Sequence, residues 1–157
     1  MNVTHARVLV IDDCADEAVV LCEGLRLHDY EAESVGSGSA ALERCRKGGI
    51  DLVLLDVGLP DLDGYEVCRQ LKDNPETRDI AVIFVTAQGS PEDISLGYQL
   101  GAVDFITKPG GTISLTIDDI KVQLLEKIKA ALRSRATLSS KRRPLGAVRP
   151  PVPAPAP

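Results

Sequence analysis

The sequence predicts an α/β fold, a doubly wound, five-stranded parallel sheet with helices on both faces. Short apolar runs alternate along the chain with segments of helical periodicity. The strongest runs are near-continuous rather than alternately polar, which suits strands covered on both faces. Strand–helix–strand alternation then forces parallel pairing through right-handed crossovers.

The first strand is "ARVLVIDD", Ala6 to Asp13, and "DEAVVLCEGLRLH", Asp16 to His28, is the helix after it. "YEAESV", Tyr30 to Val35, is a weaker strand suited to a lateral position. The next helix, "SAALERCRKG" (Ser39 to Gly48), carries Ala40, Leu42 and Cys45 and starts at a Ser/Gly stretch with Ser37 or Ser39 as cap. "DLVLLD", Asp51 to Asp56, is the third strand. "YEVCRQLKD", Tyr65 to Asp73, places Val67, Cys68 and Leu71 on one helical face. "AVIFVTA", Ala81 to Ala87, is the fourth strand. "SPEDISLGYQLGA" has helix start and stop signals: Ser90 as cap, Pro91 at the first position, Asp93 three residues on, and Gly101 as terminator. "AVDFIT", Ala102 to Thr107, is the second lateral strand. In the last helix Thr116 and Asp119 form a second capping box, and Ile120, Leu124, Ile128 and Leu132 recur at helical spacing.

Composition sets the outer limits. The 157 residues suffice for one domain with a sound core, and with 3% aromatic residues and no Trp that core must be aliphatic. Residues 1–132 carry 12 Lys and Arg against all 23 Asp and Glu, a net −11; residues 133–157 carry six basic residues and no acidic one. Six of the ten Pro fall in the last 14 residues. The reading is therefore one folded domain over residues 1–135 and a basic, Pro-rich, disordered tail or linker over 136–157. No secretory signal or membrane-spanning stretch is visible, so a cytoplasmic location is expected. Cys14, Cys22, Cys45 and Cys68 show no C-x-x-C spacing, which argues against zinc or redox motifs and for reduced thiols. His5 and His28 are expected to be exposed.

The chemistry lies at the strand ends. The first strand ends in Asp12-Asp13, the third in Asp56, the fourth in Thr86, and the fifth just before Lys108-Pro109. In a parallel sheet these ends share one edge. If strands one and three are central neighbours, three carboxylates crowd together and repel. A hard divalent cation removes the conflict, and carboxylates, a carbonyl and waters make a Mg²⁺ site. Lys108 adds a second positive charge, and Thr86 offers a hydroxyl to an incoming oxyanion. The set suits phosphoryl transfer to a carboxylate. A lone Asp at a strand end is usually a turn or cap residue; three on one edge, with Thr86 and Lys108, are not explained that way.

These pieces resemble the receiver (response regulator) domain of bacterial two-component signalling. The matching text is "VLVIDD", "LLDVGLPDLDG" with Pro60 and Gly64 four and eight residues after Asp56, "VIFVTA" and "GAVDFITKP", in order, over roughly residues 6–132. The resemblance implies the flavodoxin-like receiver fold and a phosphoacceptor switch in a phosphorelay. It implies Asp56 as phosphoacceptor from a sensor histidine kinase or phosphotransfer protein. Asp13, Asp56 and the carbonyl of Gly58 would bind Mg²⁺, and Asp12 would hold its waters. Thr86 and Lys108 would contact the phosphoryl group, and a cis Lys108–Pro109 bond is implied. Phe105 stands at the family's switch aromatic, without the hydroxyl a Tyr would have. Signalling would pass to a downstream protein through the face of helix four, strand five and helix five, with a homodimer through that face as an option. The domain would be no enzyme beyond its own phosphorylation and dephosphorylation, at rates set by the flanking Gly58 and Gln88. No output domain is recognised.

"GAVDFITKPGGTISLTI", with Gly110 and Gly111 after Lys-Pro, is also similar to the receiver part of chemotaxis methylesterases. Three other readings compete. Gly36-x-Gly38-x-x-Ala41 has the outline of a dinucleotide-binding fingerprint, but its preceding strand is weak and it leaves the acidic residues idle. An aspartyl-phosphate phosphatase would want Asp where Gly58 stands. A degenerate receiver would bind partners without phosphorylation, yet every key residue type is present. The basic tail lacks aromatics, so a nucleic-acid partner is not expected.

Overall fold

The computed structural model describes residues 6–87, 90–107 and 122–133. The elements are β1 (Arg7–Ile11), α1 (Ala15–Leu27), β2 (Glu31–Val35), α2 (Gly38–Arg46), β3 (Leu52–Leu55), α3 (Gly64–Asp73), β4 (Ala81–Thr86), α4 (Pro91–Gln99) and β5 (Asp104–Thr107). A further helix, α5, runs over residues 122–133. The five strands are all parallel, in the order β2-β1-β3-β4-β5. This is the predicted doubly wound α/β sandwich, with β1 and β3 as central neighbours.

The pleat divides the core in two. Val8 and Val10 of β1, Leu52 and Leu54 of β3, and Ile83 and Val85 of β4 pack with Ala18, Cys22 and Leu25 of α1 and Leu124, Ile128 and Leu132 of α5. Their alternates Leu9, Ile11, Val53, Leu55, Val82 and Phe84 pack with α2 and α3. All of β3 and β4 is buried, which is why those strands read as unbroken apolar runs. Each Val, Leu, Ile or Phe among them contributes about 1.5–3 kcal/mol by leaving water.

The edge strand β2 has the opposite character, EAESV, and is clamped by ion pairs. Arg7 reaches Glu31 at 2.6 Å, and Arg44 of α2 reaches Glu33 at 2.8 Å. Charges on an edge strand discourage pairing with another chain. Helix starts follow the capping chemistry. The Ser37 hydroxyl accepts from Ala40 N–H (3.2 Å), the Asp63 carboxylate from Glu66 N–H (2.9 Å) and the Ser90 hydroxyl from Asp93 N–H (3.2 Å). Of the two candidates, Ser37 and not Ser39 caps α2. The buried stripe of α2 is Gly38, Ala41, Leu42 and Cys45, so Ala41 takes the place expected for Ala40. Residues 38, 41, 42 and 45 fall on one helical stripe, and residue 40 falls beside it. Gly101, at φ +109°, follows α4, a backbone conformation a side chain would strain. The second capping box (Thr116, Asp119), Ile120, the Lys108–Pro109 bond, Gly110, Gly111, Gln88, His5 and the tail lie outside the described residues. No helix among the described residues is long and apolar enough to cross a membrane.

Candidate functional site: an acidic pocket at the switch point of the sheet

Strand order reverses between β1 and β3, with β2 on one side and β4 on the other. In open α/β sheets the crevice beyond the carboxyl ends at such a point is where ligands bind. Ile11 pairs with Leu55, so Asp12 and Asp56 leave the two strands side by side. Backbone bonds hold both in place. Asp12 N–H donates to the Val35 carbonyl (3.1 Å), and Asp56 N–H donates to the Ile11 carbonyl (3.0 Å).

Asp12 is buried, Asp56 half-buried and Asp13 exposed. Carboxylate oxygens of the three lie within 4.8 Å of one another. Two unit charges 4 Å apart repel by about 4 kcal/mol near a protein surface, so the cluster calls for positive charge. Donors on opposite sides of a Mg²⁺, each at about 2.1 Å, stand about 4 Å apart. The spacing and the all-oxygen donor set therefore fit that ion. One oxygen of Asp12 accepts from Cys14 N–H at the start of α1 (2.9 Å), which fixes the buried carboxylate. Gly58 N–H reaches back to an Asp56 oxygen at 3.3 Å. Cys14 is exposed, as is His28.

Thr86 ends β4 and is buried; its register partner on β5 is Thr107. Lys108, next in sequence, lies outside the described residues. Phe105 is nearly covered. Its ring stands 5.5 Å from that of Phe84, which in turn stands 5.3 Å from Tyr65. Phe84 shares a sheet face with Thr86 two residues on, so an aromatic row runs from the pocket's wall toward α4. Gly97 of α4 faces the row, where a methyl group would stand 3.1 Å from both Phe rings. Burial and the neighbouring Asp93 push the Tyr65 phenol up to about 12, so it stays protonated; it donates to the Asp93 carbonyl (3.3 Å).

Two features had no local signal in the sequence. Gly64 sits so close beneath β3 that a side chain would run into the Asp56 carbonyl oxygen and Val57 Cα. Asp61 reaches across from the β3–α3 loop to the first turn of α2. It accepts from Gly38 N–H (2.8 Å), Ser39 N–H (2.9 Å) and the Ser39 hydroxyl (2.7 Å). The helix terminus that a dinucleotide pyrophosphate would need is thus taken by a carboxylate of the chain itself.

Known proteins are similar to this chain in sequence and in fold. Residues 8–118 match the family model described as the response regulator receiver domain. The chain is 43% identical over 108 residues to a probable cyclic di-GMP phosphodiesterase of Vibrio cholerae, covering 69% of this chain and 24% of that protein. It is 35% identical over 146 residues to a protein-glutamate methylesterase/protein-glutamine glutaminase of Halalkalibacterium halodurans, covering 90% of this chain and 41% of that one. The chain spans less than half the length of either relative. The solved response regulator domain of Thermotoga maritima CheB superposes with a TM-score of 0.71 at 34% identity, over 82% of this chain and 97% of that one. With the match running from the first strand of the sheet to residue 118, the chain belongs to the response regulator receiver domains.

Proposed function

We propose that this domain is a phosphoacceptor switch in which Asp56 takes a phosphoryl group from a histidine kinase or phosphotransfer protein. The observation that carries the reading is the convergence of Asp12, Asp13 and Asp56 at the β1/β3 switch point. Asp13, Asp56 and the Gly58 carbonyl would hold Mg²⁺, with Asp12 binding its waters. That ion would supply charge neutralisation to the transferring phosphoryl group. An Asp56 carboxylate oxygen attacks phosphorus, the bond from phosphorus to the donor's leaving atom breaks, and the leaving group keeps the electron pair. Asp56 then carries an acyl phosphate of about −1.5 to −2 charge. Thr86 donates its hydroxyl to a phosphoryl oxygen and Lys108 pairs with another.

Contacts that differ between two conformations are the only means by which the modification can shift a population. Phe105 and its row toward α4 supply the mobile element. The output face is α4, β5 and α5; Leu96 and Tyr98 of α4 and Val103, just before β5, are exposed. A downstream protein or a second copy docks there, in the cytoplasm, and residues 136–157 act as a tail or linker. The domain performs no chemistry beyond gaining and losing its own phosphoryl group.

Intact-protein mass spectrometry after incubation with Mg²⁺ and acetyl phosphate tests the reading. One phosphoryl adduct is expected, dependent on Mg²⁺ and lost in Asp56→Asn. No adduct on wild type would overturn it in favour of a phosphorylation-independent binding module.

A further inference from the structure

We propose that Asp61 is a positioning residue for the reaction at Asp56, bolting the loop that carries Gly58 onto the first turn of α2. The inference rests on the assignment of Asp56 and Gly58 above. Residues 57–63 join β3 to α3. At its start the loop is tied by the Val57 carbonyl, which accepts from Leu59 N–H (3.0 Å) and Gly64 N–H (2.8 Å). At its end Asp63 caps α3. Between them stands Gly58, exposed and without a Cβ, the residue type least able to hold one backbone conformation by itself. Its carbonyl can serve a cation only if something else fixes the peptide.

Asp61 is the lateral tie. Besides the three bonds to Gly38 and Ser39, its carboxylate accepts from Leu62 N–H (2.8 Å). The Ser39 hydroxyl and the Ser39 and Gly38 amides hold its carboxyl far below the usual carboxylate range. The contact beside it is close. A methyl group on Gly38 would meet Leu62 Cβ of the loop and Val67 Cγ2 of α3, each at 2.9 Å, so the start of α2 packs closely on both. Asp61 therefore joins the loop to an element that is itself packed on the sheet through Ala41, Leu42 and Cys45.

Mg²⁺ titration of ¹⁵N-labelled protein, followed at the Gly58 amide, tests this beside the rate of adduct formation at varied Mg²⁺. Asp61→Ala should raise the Mg²⁺ half-saturation several-fold in both readouts and leave the rate at saturating Mg²⁺ near wild type. The effect should stay below the about 10–100-fold that loss of a direct partner of a metal ligand costs. Asp61→Asn, which keeps one acceptor oxygen, should fall between. Ser39→Ala deletes only the hydroxyl bond, should shift the same way by less, and serves if Asp61→Ala does not fold. Ser37→Ala removes the cap of α2 without touching the loop. It should lower the melting temperature and leave the half-saturation in place. The inference is overturned if Asp61→Ala binds Mg²⁺ as wild type does. It is also overturned if Ser37→Ala shifts binding equally, or if Asp61→Asn is as weak as Asp61→Ala, which would make the effect one of charge. A wild type that forms no adduct overturns the proposed function and this inference with it.

Discussion

A carboxylate at the end of a buried strand is held by that strand, and Asp56 shows how. Its amide is bonded to β1 and its carbonyl is roofed by Gly64. Gly64 is required there by space alone, because any Cβ would press on the peptide that carries Asp56. Gly64→Ala is expected to cost about 3 kcal/mol, the upper end of the range for overpacking, because the obstructing atoms are backbone and cannot rotate away. Urea denaturation measures the loss. The same variant should form the acetyl phosphate adduct more slowly at fixed Mg²⁺, since the displaced group is the phosphoacceptor's own peptide. A wild-type rate in a destabilised Gly64→Ala would show that the roof serves stability alone.

At the scale of elements, α4 lies against β4 and β5 through a glycine. Gly97→Ala gains about 0.8–1 kcal/mol of helix propensity. It also pushes a methyl group against Phe84 and Phe105, both buried, at a cost of about 1–3 kcal/mol. The expected net effect is a loss of about 1 kcal/mol, read from the denaturation midpoint; a gain would mean that the aromatic row has slack. The β2 edge makes a pH-dependent prediction. Arg44 bonds Glu33 and holds its carboxyl below the ordinary 4.5, with its guanidinium charge acting in the same sense and burial opposing. A group depressed in the folded state stabilises it above the unfolded value. Its contribution is present at neutral pH and lost as pH falls below 4.5 through the folded value. The Glu33 side chain is 40% exposed, so a double-mutant cycle of Glu33→Gln and Arg44→Met should give only about 0.2–1 kcal/mol at pH 7. It should shrink as the pH is lowered below 4.5.

For the whole molecule, the legible parts are those whose cause is local. Val8 to Ile11, Leu52 to Leu55 and Val82 to Val85 announce buried parallel strands because no polar residue interrupts them. Ser90 and Pro91 announce a helix start because the capping bond spans three residues. Asp12, Asp13 and Asp56 could be brought together in advance because parallel strands must end on one edge. The bond from Asp61 to Ser39 spans 22 residues, from the β3–α3 loop to the first turn of α2. No periodicity or propensity encodes it, and the niche of Gly97 exists only once β4 and β5 have paired. The charge division belongs to this scale as well. The acidic body must satisfy its own repulsion at the pocket, while the basic residues from 133 onward follow in sequence after Ala131 and Leu132, the last buried apolar side chains among the described residues. We propose a domain boundary at residue 135 and expect a chain cut there to fold as the full chain does. Its melting temperature should move by less than about 4 °C, the equivalent of about 1 kcal/mol at this size. Adduct formation at Asp56 should keep its Mg²⁺ dependence. A larger fall on truncation would mean that residues beyond 135 pack on the domain, and the apolar surface of Leu27, Val20 and Val122 on α1 and α5 is where that packing would be sought first.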